Sequence, residues 1–469
     1  MIVDSKTLIA LLAVLPAALG ELEPHAVRNR RRHHARAPLN LDIKINIDLG
    51  SSGASDATEQ PGQFRFPYGH TKVRGVNLGG WLVLEPWITP SLFDNTGNDK
   101  IIDEYTFGQY QDKNTAKAAL EEHWSTWITE DDLAAIAAAG LNHVRIPIGF
   151  WAFDVSGGEP YVQGQFPYLC KAVEWASKHG VKVLIDLHGA PGSQNGFDNS
   201  GRAGETNWHR DPKNVQRTEA VIEFLSKEFS KSKYKGCVTS IAPLNEPAGF
   251  REQKVLDVTR QYWADSYKLI RYPGGPYAKE GNLVEVIHDA FQPLSYWNNF
   301  LTKPNATGVV MDTHHYEVFS VAENARTFDQ HVESICDFGA NNLAPYNKNQ
   351  NPVVTGEWSL ALTDCAKYLN GRGVGARYDG TYPGTTKIGD CSSMTGSGEN
   401  FSDNYKVTLG KIWEVQANTY ETCGSGWIFW TWKNEGADEW SYQNGLKYGW
   451  IPSDPTKRQY PNQCQSVCS

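Results

Sequence analysis

The chain lacks the short motifs by which several enzyme classes are recognised. None of its eight cysteines forms a CxxC pair, and no HExxH, GxSxG or phosphate-binding loop motif occurs. Zinc or redox sites built on CxxC, HExxH metalloproteases, nucleophile-elbow hydrolases and P-loop enzymes are therefore disfavoured. After the first 20 residues, no apolar run is long enough to span a bilayer, and no C-terminal anchor signal is present.

The first 66 residues differ in composition from the rest of the chain. Lys6 precedes TLIALLAVLPAALG, an apolar stretch too short to span a bilayer comfortably, so residues 1–20 predict a secretory signal peptide. A buried first helix is the alternative, but the polar segment that follows could not cover it. Residues 21–66 contain RNRRRHHAR and a Ser/Gly-rich stretch, and they predict a pro-segment with a dibasic processing site and a flexible linker.

The charge balance argues against a polyanionic partner. The net charge is −9, and without residues 1–36 the chain keeps 38 Lys and Arg against 50 Asp and Glu, a net charge of −12. Such a surface repels nucleic acid and suits a neutral substrate. The basic run could bind nucleic acid or a membrane, but its place after a signal peptide favours processing. We expect a secreted, extracellular protein.

Cysteines, sequons and aromatic residues agree with secretion. Eight cysteines in a secreted chain predict that some form disulfides, and Asn305 and Asn400 begin glycosylation sequons. The 16 Trp and 21 Tyr are a heavy aromatic load. Most of these rings are expected in the core, and some could offer flat faces to sugar rings.

From Pro67 onward, short apolar runs alternate with helical patterns. Continuous apolar strands between helices indicate a parallel sheet buried on both faces. One predicted helix has Thr129 as its N-cap and Asp132 in the capping-box position, and it ends at Gly140. Eight strand–helix units predict an α/β fold, a (β/α)8 TIM barrel over residues 67–469, with extended βα loops because the region exceeds the usual ~250 residues. The eight predicted strands are 72–78, 143–148, 182–188, 238–245, 283–288, 308–316, 352–358 and 426–432.

Polar residues end several predicted strands, at the face where such barrels place their chemistry. Glu246 and Glu357 end strands four and seven, which face each other across a barrel mouth. Paired carboxylates suit glycoside cleavage, because like charges separate their pKa values and let one stay protonated while the other is ionised. An ion pair with Arg or a helix cap is the alternative for each glutamate. The other strand-end candidates are Asn77, Arg145, His188, Asn245, His314, Tyr316, Trp430 and Trp432.

A metal site is the competing chemistry for one of these strands. Asp312, His314 and His315 could supply ligands, but strand alternation puts His315 on the opposite face from His314 and Tyr316. No further ligand cluster is evident. We therefore expect neither a metal nor another cofactor.

An ordered set of motifs covers nearly everything from residue 70 to residue 464. It includes RGVNLGGWLVLEPWITPSLF (74–93), VRIPIGFWAF (144–153), IDLHGAPGSQNGFDNSG (185–201), LNEP (244–247), HHYEVF (314–319), GEWSLALTDCAKYLNG (356–371) and FWTWK (429–433). LNEP alone is moderately specific, whereas the ordered set is highly specific. The chain closely resembles the secreted fungal exo-β-1,3-glucanases of glycoside hydrolase family 5.

The resemblance implies an activity and a site. Such enzymes release glucose from the non-reducing end of β-1,3-glucan with retention, can transfer it to another sugar, and act in fungal cell-wall glucan metabolism. It implies Glu246 as general acid/base and Glu357 as nucleophile, with Phe197 and Phe319 clamping the second glucose. The positions it implies for the first sugar subsite are Glu85, Arg145, His188, Asn245, His314, Tyr316 and Trp430.

The resemblance also bears on partners and disulfides. It implies action on β-1,3-glucan and its oligosaccharides, and we expect a monomer with no nucleic-acid partner and no membrane anchor. It implies the disulfides Cys336–Cys464 and Cys365–Cys391. The state of the other four cysteines stays open: Cys170, Cys237, Cys423 and Cys468.

Individual roles follow from the chemistry of the implied residues. Asn245 is expected to donate to the sugar 2-hydroxyl, an interaction that strengthens in the transition state. Arg145 and Tyr316 are expected to hold Glu357 ionised. His188 and His314 are expected to bind hydroxyls or orient carboxylates rather than act as bases, unless they are core histidines.

The chain departs from the family pattern in its elaborate basic pro-segment and linker and at two places in the barrel, and two rival functions remain. Glu317 stands where Gln is expected, and residues 433–440 vary a loop near the rim. Because Glu317 alternates away from Tyr316, we expect little effect on catalysis. One rival is a β-glucosidase or endoglucanase on another linkage, such as β-1,6-glucan. The other is a non-catalytic glucan-binding protein, which predicts loss of Glu246 or Glu357, and both are present.

Overall fold

Eight parallel strands close into one barrel in the order in which they follow along the chain. The computed structural model describes residue 60 and residues 62–464. The predicted signal peptide, the basic run and Cys468 lie outside the described residues. The strands are Val73–Asn77 (β1), His143–Gly149 (β2), Lys182–Gly189 (β3), Val238–Ala242 (β4), Val284–His288 (β5), Val309–His314 (β6), Val353–Glu357 (β7) and Gly426–Phe429 (β8).

Each strand pairs with the next, and β8 closes the barrel against β1 through the register Gly75↔Ile428. The predicted TIM barrel is confirmed. Three strands end two or three residues earlier than expected: β4, β6 and β8. In β4 the reason is local, because Pro243 has no N–H with which to continue the ladder.

Helices surround the barrel, and long loops lie between several strands and the helices that follow them. The predicted capping box joins Thr129 and Asp132, and Gly140 follows the helix with φ +73°. The segment from residue 358 to residue 402, after β7, contains only two short 3₁₀ turns. The helices are Pro90–Asp94 (α1), Glu104–Gln109 (α2), Lys113–Thr126 (α3), Glu130–Ala138 (α4), Phe166–Lys178 (α5), Pro212–Phe229 (α6), Gln253–Arg271 (α7), Val321–Asn324 (α8), Phe328–Phe338 (α9), Ala344–Asn349 (α10), Asp403–Cys423 (α11) and Tyr442–Tyr448 (α12).

Apolar side chains fill the amino-terminal half of the barrel interior. They form a cluster separate from the larger core between strands and helices. Branched side chains from alternating strand positions pack this layer, as in other barrels of the type. The polar residues of the barrel interior therefore lie at the carboxyl end of the strands. The members of the inner cluster are Phe66, Val73, Leu184, Ala242, Val284, Val286, Val310, Val354 and Ile428.

The folded region begins slightly before the predicted boundary at residue 67. Phe66 is buried and packs edge-to-face on His143 at 4.4 Å between ring centroids. Arg65 donates to the backbone carbonyls of Phe229 and Val238 at 2.8 and 3.0 Å. The polar segment upstream places these residues in the predicted linker, whereas in the structure they close the amino-terminal end of the barrel.

The disulfides Cys336–Cys464 and Cys365–Cys391 are both present. Cys423 is also disulfide-bonded. Cys170 and Cys237 are free thiols, and burial raises the pKa of each to about 12, so neither ionises near neutral pH. Among the described residues, no helix combines the length and the apolar character that a membrane crossing requires.

A buried carboxyl group in β5 makes stability depend on pH. Glu285 accepts a hydrogen bond from Ser266 at 2.5 Å, and burial raises its pKa from 4.5 to about 8. The folded chain therefore keeps a proton that the unfolded chain loses, and the free energy of unfolding falls as the pH rises from 4.5 to 8. The pKa of Glu104 and that of Glu439 are also raised to about 8 by burial, so they act in the same direction.

We expect Glu285→Gln to remove part of this dependence. Glutamine keeps the acceptor for Ser266 and cannot ionise, so the variant gains roughly 1–3 kcal/mol relative to the native chain between pH 5 and pH 8. Thermal unfolding at the two pH values measures the effect. The same Tm difference between variant and native chain at both values would contradict the assignment.

Candidate active site

The two glutamates that the sequence singles out lie at the carboxyl end of the barrel, and both are buried. Glu357 is the last residue of β7. Glu246 lies four residues beyond the end of β4, in the loop rather than on the strand. Its backbone has φ +46°, a left-handed conformation that is rare and strained for a residue with a side chain. This backbone turn, and not the strand, directs the Glu246 carboxylate.

His314 joins the two carboxylates. Its Nδ1 donates to Oε1 of Glu246 at 2.6 Å and lies 3.4 Å from Oε2 of Glu357. These two oxygens are therefore no farther apart than about 6 Å, the sum of the two distances. In glycosidases, carboxyl groups about 5–5.5 Å apart allow direct attack on carbon, whereas about 6.5–9.5 Å leaves room for a water molecule. This upper limit of about 6 Å favours the closer arrangement, in which a carboxylate attacks carbon directly.

Glu357 receives two further hydrogen bonds. Arg145 Nη1 donates to its Oε1 at 2.7 Å, and the Tyr316 hydroxyl donates to its Oε2 at 2.9 Å. Both donors stabilise the ionised carboxylate and fix its orientation. By contrast, the donors to Glu246 within the described part of the chain are only His314 and, in a long contact at 3.4 Å, Asn199. The two carboxylates therefore lie in different environments, as different chemical roles require.

A closed network of polar side chains holds Arg145 in place. Its Nη1 also donates to Asn77 at 3.0 Å, and its Nη2 donates to Asn245 at 2.7 Å and lies 3.2 Å from Asp186. His188 bonds to Asp186 at 2.6 Å and lies 3.3 Å from the Asn245 amide nitrogen. All five side chains are buried. Because every member is bonded to another, the guanidinium has one well-defined position beneath Glu357.

The pKa values of His314, Glu246 and Glu357 depend strongly on one another. Burial alone would lower the pKa of His314, but the charges of Glu357 and Asp312 outweigh it and raise that pKa well above its usual value. Burial would raise the pKa of Glu246, but the hydrogen bond and charge of His314 turn the shift downward. Burial raises the pKa of Glu357 against the effects of His314 and Arg145, and the Glu246 charge adds to the rise.

These pKa directions, raised for His314 and lowered for Glu246, favour His314 over Glu246 as the holder of the proton between them. The acid/base role implied for Glu246 predicts a protonated Glu246 beside an ionised Glu357, whereas the lowered pKa of Glu246 and the raised pKa of His314 favour an imidazolium that donates to an ionised Glu246. The physical reason is that His314 lies between two carboxylates and balances both charges. Movement of the Nδ1 proton along the 2.6 Å hydrogen bond would protonate Glu246 and leave His314 neutral.

The metal site considered from sequence does not assemble. His315 points away from His314, stacks on Phe338 at 3.9 Å and bonds to Tyr420. A different trio, Glu246, His288 and His314, has ligand-type atoms within 4.8 Å of one another. In that trio, the closest contact is the hydrogen bond from a protonated His314, so the geometry fits an acid–base pair better than a metal centre.

Two more acidic side chains face the site from other loops. Glu85 is buried, and its Oε2 accepts from Trp87 Nε1 at 2.9 Å. Burial and the nearby charge of Asp198 raise the pKa of Glu85 well above its usual value, and burial raises that of Asp198 to about 7. Among the described residues, Oε1 of Glu85 and Oδ2 of Asp198 have no hydrogen-bond partner, so both are available to accept from sugar hydroxyls.

Aromatic rings flank these polar groups. Trp430 lies nearly parallel to the His188 ring at 5.6 Å, with an angle of 13° between the planes. Phe319 is 44% exposed and meets Tyr316 edge-to-face at 5.3 Å. Phe197 is partly exposed in the loop after β3. The two phenylalanines thus come from loops after different strands, β3 and β6.

The sequence model of the cellulases, glycosyl hydrolase family 5, matches residues 109–372, more than half of the chain. The chain belongs to glycosyl hydrolase family 5. The barrel is therefore that of a glycosidase, and its two glutamates lie at the carboxyl end of the strands, where the active site is expected.

Two fungal relatives in family 5 are similar to this chain over most of their length. A probable glucan 1,3-beta-glucosidase A of Aspergillus niger is 47% identical over 403 residues, which cover 85% of this chain and 92% of the relative. A glucan 1,3-beta-glucosidase of Pichia angusta is 43% identical over 405 residues, 85% of this chain and 90% of the relative. The crystal structure of a rutinosidase from Aspergillus niger superposes with a TM-score of 0.62 at 19% identity, covering 82% of this chain and 99% of that one. That likeness shows the shared fold alone.

Several residues of this family-5 site are missing from the sequence-based set. His288 ends β5 and packs edge-to-face on His314 at 4.3 Å, so the search for polar residues at strand ends would have found it. Asp186 interrupts an apolar strand two residues before His188, a spacing that puts both on one face. Trp440 packs against Tyr316 and Trp87, and no local pattern indicates that role.

Glu317 lies beyond the end of β6, so strand alternation does not explain its orientation. It is buried outside the catalytic cluster, accepting hydrogen bonds from Ser334 at 3.0 Å and from Arg326, and lying 2.9 Å from His331 Nδ1. These partners belong to the region around α9 and not to the pocket. The prediction that Glu317 matters little for catalysis thus stands as a prediction with a different physical basis.

Proposed function

We propose that this protein is a retaining exo-β-1,3-glucosidase that releases glucose from the non-reducing end of β-1,3-glucan. One observation carries the proposal: two buried glutamates at the barrel mouth share a histidine, with facing oxygens within about 6 Å. The names of the fungal relatives support the β-1,3-glucan substrate.

In the first step, Glu357 attacks the anomeric carbon of the terminal glucose. The bond to the glycosidic oxygen breaks, and that oxygen takes a proton from Glu246, so the shortened chain leaves with a hydroxyl. The proton reaches Glu246 from His314 Nδ1, and the product of the step is a glucosyl ester on Glu357. Tyr316 and Arg145 stabilise the Glu357 carboxylate before attack and release it as its charge disappears.

In the second step, water attacks the same carbon as Glu246 removes its proton. The ester bond breaks and Glu357 regains its negative charge. If the hydroxyl of another sugar replaces the water, glucose is transferred instead of released. Two inversions at one carbon restore the β configuration.

The surroundings of the pair support recognition of a terminal sugar. Asn245 is positioned by Arg145 and lies next in sequence to Glu246, where it can donate to the 2-hydroxyl. Glu85 and Asp198 offer buried acceptor oxygens to the remaining hydroxyls, and Trp430 offers an apolar face. Phe197 and Phe319 clamp the next glucose.

We also propose that the protein is secreted and acts in fungal cell-wall glucan metabolism. The predicted signal peptide and the disulfides support an oxidising compartment. Both sequon asparagines, Asn305 and Asn400, are exposed and accessible to glycosylation. We propose that the protein acts as a monomer.

The stereochemistry and size of the first product test the proposal. NMR of the reaction with a soluble β-1,3-glucan is expected to show β-glucose first, followed by mutarotation to the α anomer. Initial α-glucose would overturn the role of Glu357. Early oligosaccharides would overturn exo action, and faster glucose release from β-1,6-glucan would favour the rival linkage.

A further inference from the structure

A groove lined by aromatic side chains lies between α11, α12 and the carboxyl-terminal segment, and it contains no residue of the candidate active site. Its cavity volume is about 100 Å³. One face of α11 forms the floor, with lining residues three and four positions apart along the helix. The floor residues nearest the start of α11 are Lys406, Val407 and Gly410, and the aromatic wall residues are Tyr448, Trp450 and Tyr460.

The walls of this groove are held in place on both sides. The rings of Tyr448 and Trp450 are nearly parallel, with 5.5 Å between centroids and 17° between planes. On the other side, Glu414 accepts a hydrogen bond from the backbone N–H of Tyr460 at 2.7 Å. The Lys406 ammonium lies 5.8 Å from the centroid of the Tyr448 ring. A fixed aromatic ring beside a donor suits a sugar, which has an apolar C–H face and a rim of hydroxyls.

A glycosylation sequon adjoins the groove. Asn400 is exposed and ends the 3₁₀ turn Gly398–Asn400. This turn lies directly against the groove wall, because a Cβ at Gly398 would come within 2.6 Å of ring carbons of both Tyr448 and Trp450. Only glycine allows so close an approach at this position. The sequon asparagine is therefore two residues from a direct contact with the wall.

The other two sequon residues anchor Asn400 to the fold. Phe401 is buried and packs on Trp450 at 5.7 Å between ring centroids. Ser402 is the N-cap of α11, and its Oγ accepts from the Tyr405 N–H at 3.2 Å. The asparagine thus precedes the helix that forms the groove floor, and its backbone is fixed on that side.

We propose that Asn400 carries an N-linked glycan whose first N-acetylglucosamine packs in this groove, with its apolar face on Tyr448 and its hydroxyls toward Lys406. This inference rests on the secretion included in the proposed function, because the secretory pathway supplies the sugar donor, a lipid-diphosphate-linked oligosaccharide. In the transfer, the Asn400 amide nitrogen bonds to C1 of the sugar and loses a proton. The bond between C1 and the lipid diphosphate breaks, and the diphosphate leaves.

The docked sugar stabilises the long loop after β7. The Gly398 N–H donates to Asp438 Oδ2 at 2.7 Å, and the Asp438 N–H donates to the Gly396 carbonyl at 3.0 Å. Trp440, two residues after Asp438, packs against Tyr316 of the active site. A sugar that joins the Asn400 turn to α11 and α12 therefore supports the loops that hold Trp440 in place.

Endoglycosidase H, which cuts between the first two N-acetylglucosamines, tests the docking on the full chain secreted from a fungal host. Asn305, the other exposed sequon asparagine, is the internal reference. In the native enzyme, cleavage at Asn400 is expected to be about three- to tenfold slower than at Asn305, the range that one ring contact provides. After denaturation, the two sites are expected to be cleaved at similar rates. Mass spectrometry of the glycopeptides at successive times measures both rates.

Two variants open the groove, and one is a matched control. Tyr448→Ala removes the stacking face and is expected to bring the native rate at Asn400 to that at Asn305. Val407→Glu places a charge in the groove at a helix position that is 42% exposed, and it is expected to act in the same direction while the fold is kept. Tyr277→Ala is the control, because Tyr277 is fully exposed in the loop between α7 and β5. Its loss is expected to leave both rates unchanged.

Thermal unfolding gives a second readout. Asn400→Gln is expected to lower the Tm by about 1–4 °C, as the loss of one ring contact would, whereas Asn305→Gln leaves it unchanged. Equal changes in the two variants would overturn the docking, since any surface glycan could cause them. No change in either variant would overturn it as well.

Four results of the cleavage experiment would overturn the inference. The first is equal native rates at Asn400 and Asn305, and the second is a slow rate at Asn400 that persists in both Tyr448→Ala and Val407→Glu. The third is a glycan at Asn305 with none at Asn400. The fourth, no glycan at either asparagine, would overturn the proposed secretion as well. The glycosidase activity is read separately, from the stereochemistry of the first product.

Discussion

Replacing Glu357 with alanine is expected to reduce hydrolysis of β-1,3-glucan on the order of 10⁴-fold or more. The carboxylate is the group that forms the covalent bond, and neither Arg145 nor Tyr316, its two strongest partners, can attack carbon in its place. A loss of 10⁴-fold corresponds to about 5.5 kcal/mol of lost transition-state stabilisation. Initial rates measure the effect, and circular dichroism checks that the variant folds.

Azide makes the test specific to the role of Glu357. In Glu357→Ala, a small anion can enter the space of the carboxylate and attack an activated aryl β-glucoside, giving the α-glucosyl azide. Glu333→Gln is the matched control, because Glu333 is an exposed carboxyl group on α9. Near-native hydrolysis by a folded Glu357→Ala would refute the nucleophile role.

Replacing Glu246 with alanine is expected to separate substrates by their leaving groups. The variant cannot protonate a sugar oxygen, so glucan hydrolysis is expected to fall about 10²- to 10⁴-fold. An aryl glucoside whose phenol leaves without a proton still forms the glucosyl ester, so its first step is nearly preserved. Azide then attacks that ester and gives the β-glucosyl azide, the opposite anomer to that from Glu357→Ala.

The pH profile gives an independent measurement on Glu246. The native rate is expected to fall at high pH as the Glu246–His314 pair loses its shared proton, and at low pH as Glu357 gains one. Burial raises the pKa of Glu357, so the acid limb lies above the usual range for a glutamate. Glu246→Ala is expected to lose the alkaline limb. An alkaline limb that persists, or an equal loss on all leaving groups, would contradict the acid role.

Local patterns in the sequence were enough to predict the barrel. Continuous apolar runs such as those of β3 and β7, separated by capped helices, indicate strands buried on both faces. The early ends of β4, β6 and β8 could be predicted from these patterns only in part. Pro243 marks the end of β4, whereas nothing in the residues 314–316 marks the end of β6.

The candidate site could be predicted in composition but not in geometry. Glu246 and Glu357 stand at the ends of apolar runs, and the family motifs supply most of their neighbours. The position of the central proton could not be predicted, because it depends on His314 lying between two carboxylates from distant parts of the chain.

Strand periodicity and motif identity are local properties, so the barrel, the pair of glutamates and the residues available around them could be predicted from the amino-acid sequence. Only the tertiary structure sets the spacing of Glu246 and Glu357, the closed network around Arg145 and the contact of Trp440 with Tyr316. Each of these depends on side chains tens to hundreds of residues apart meeting at one end of a closed barrel. Electrostatic balance and ring contacts exist only once that closure has brought the groups together.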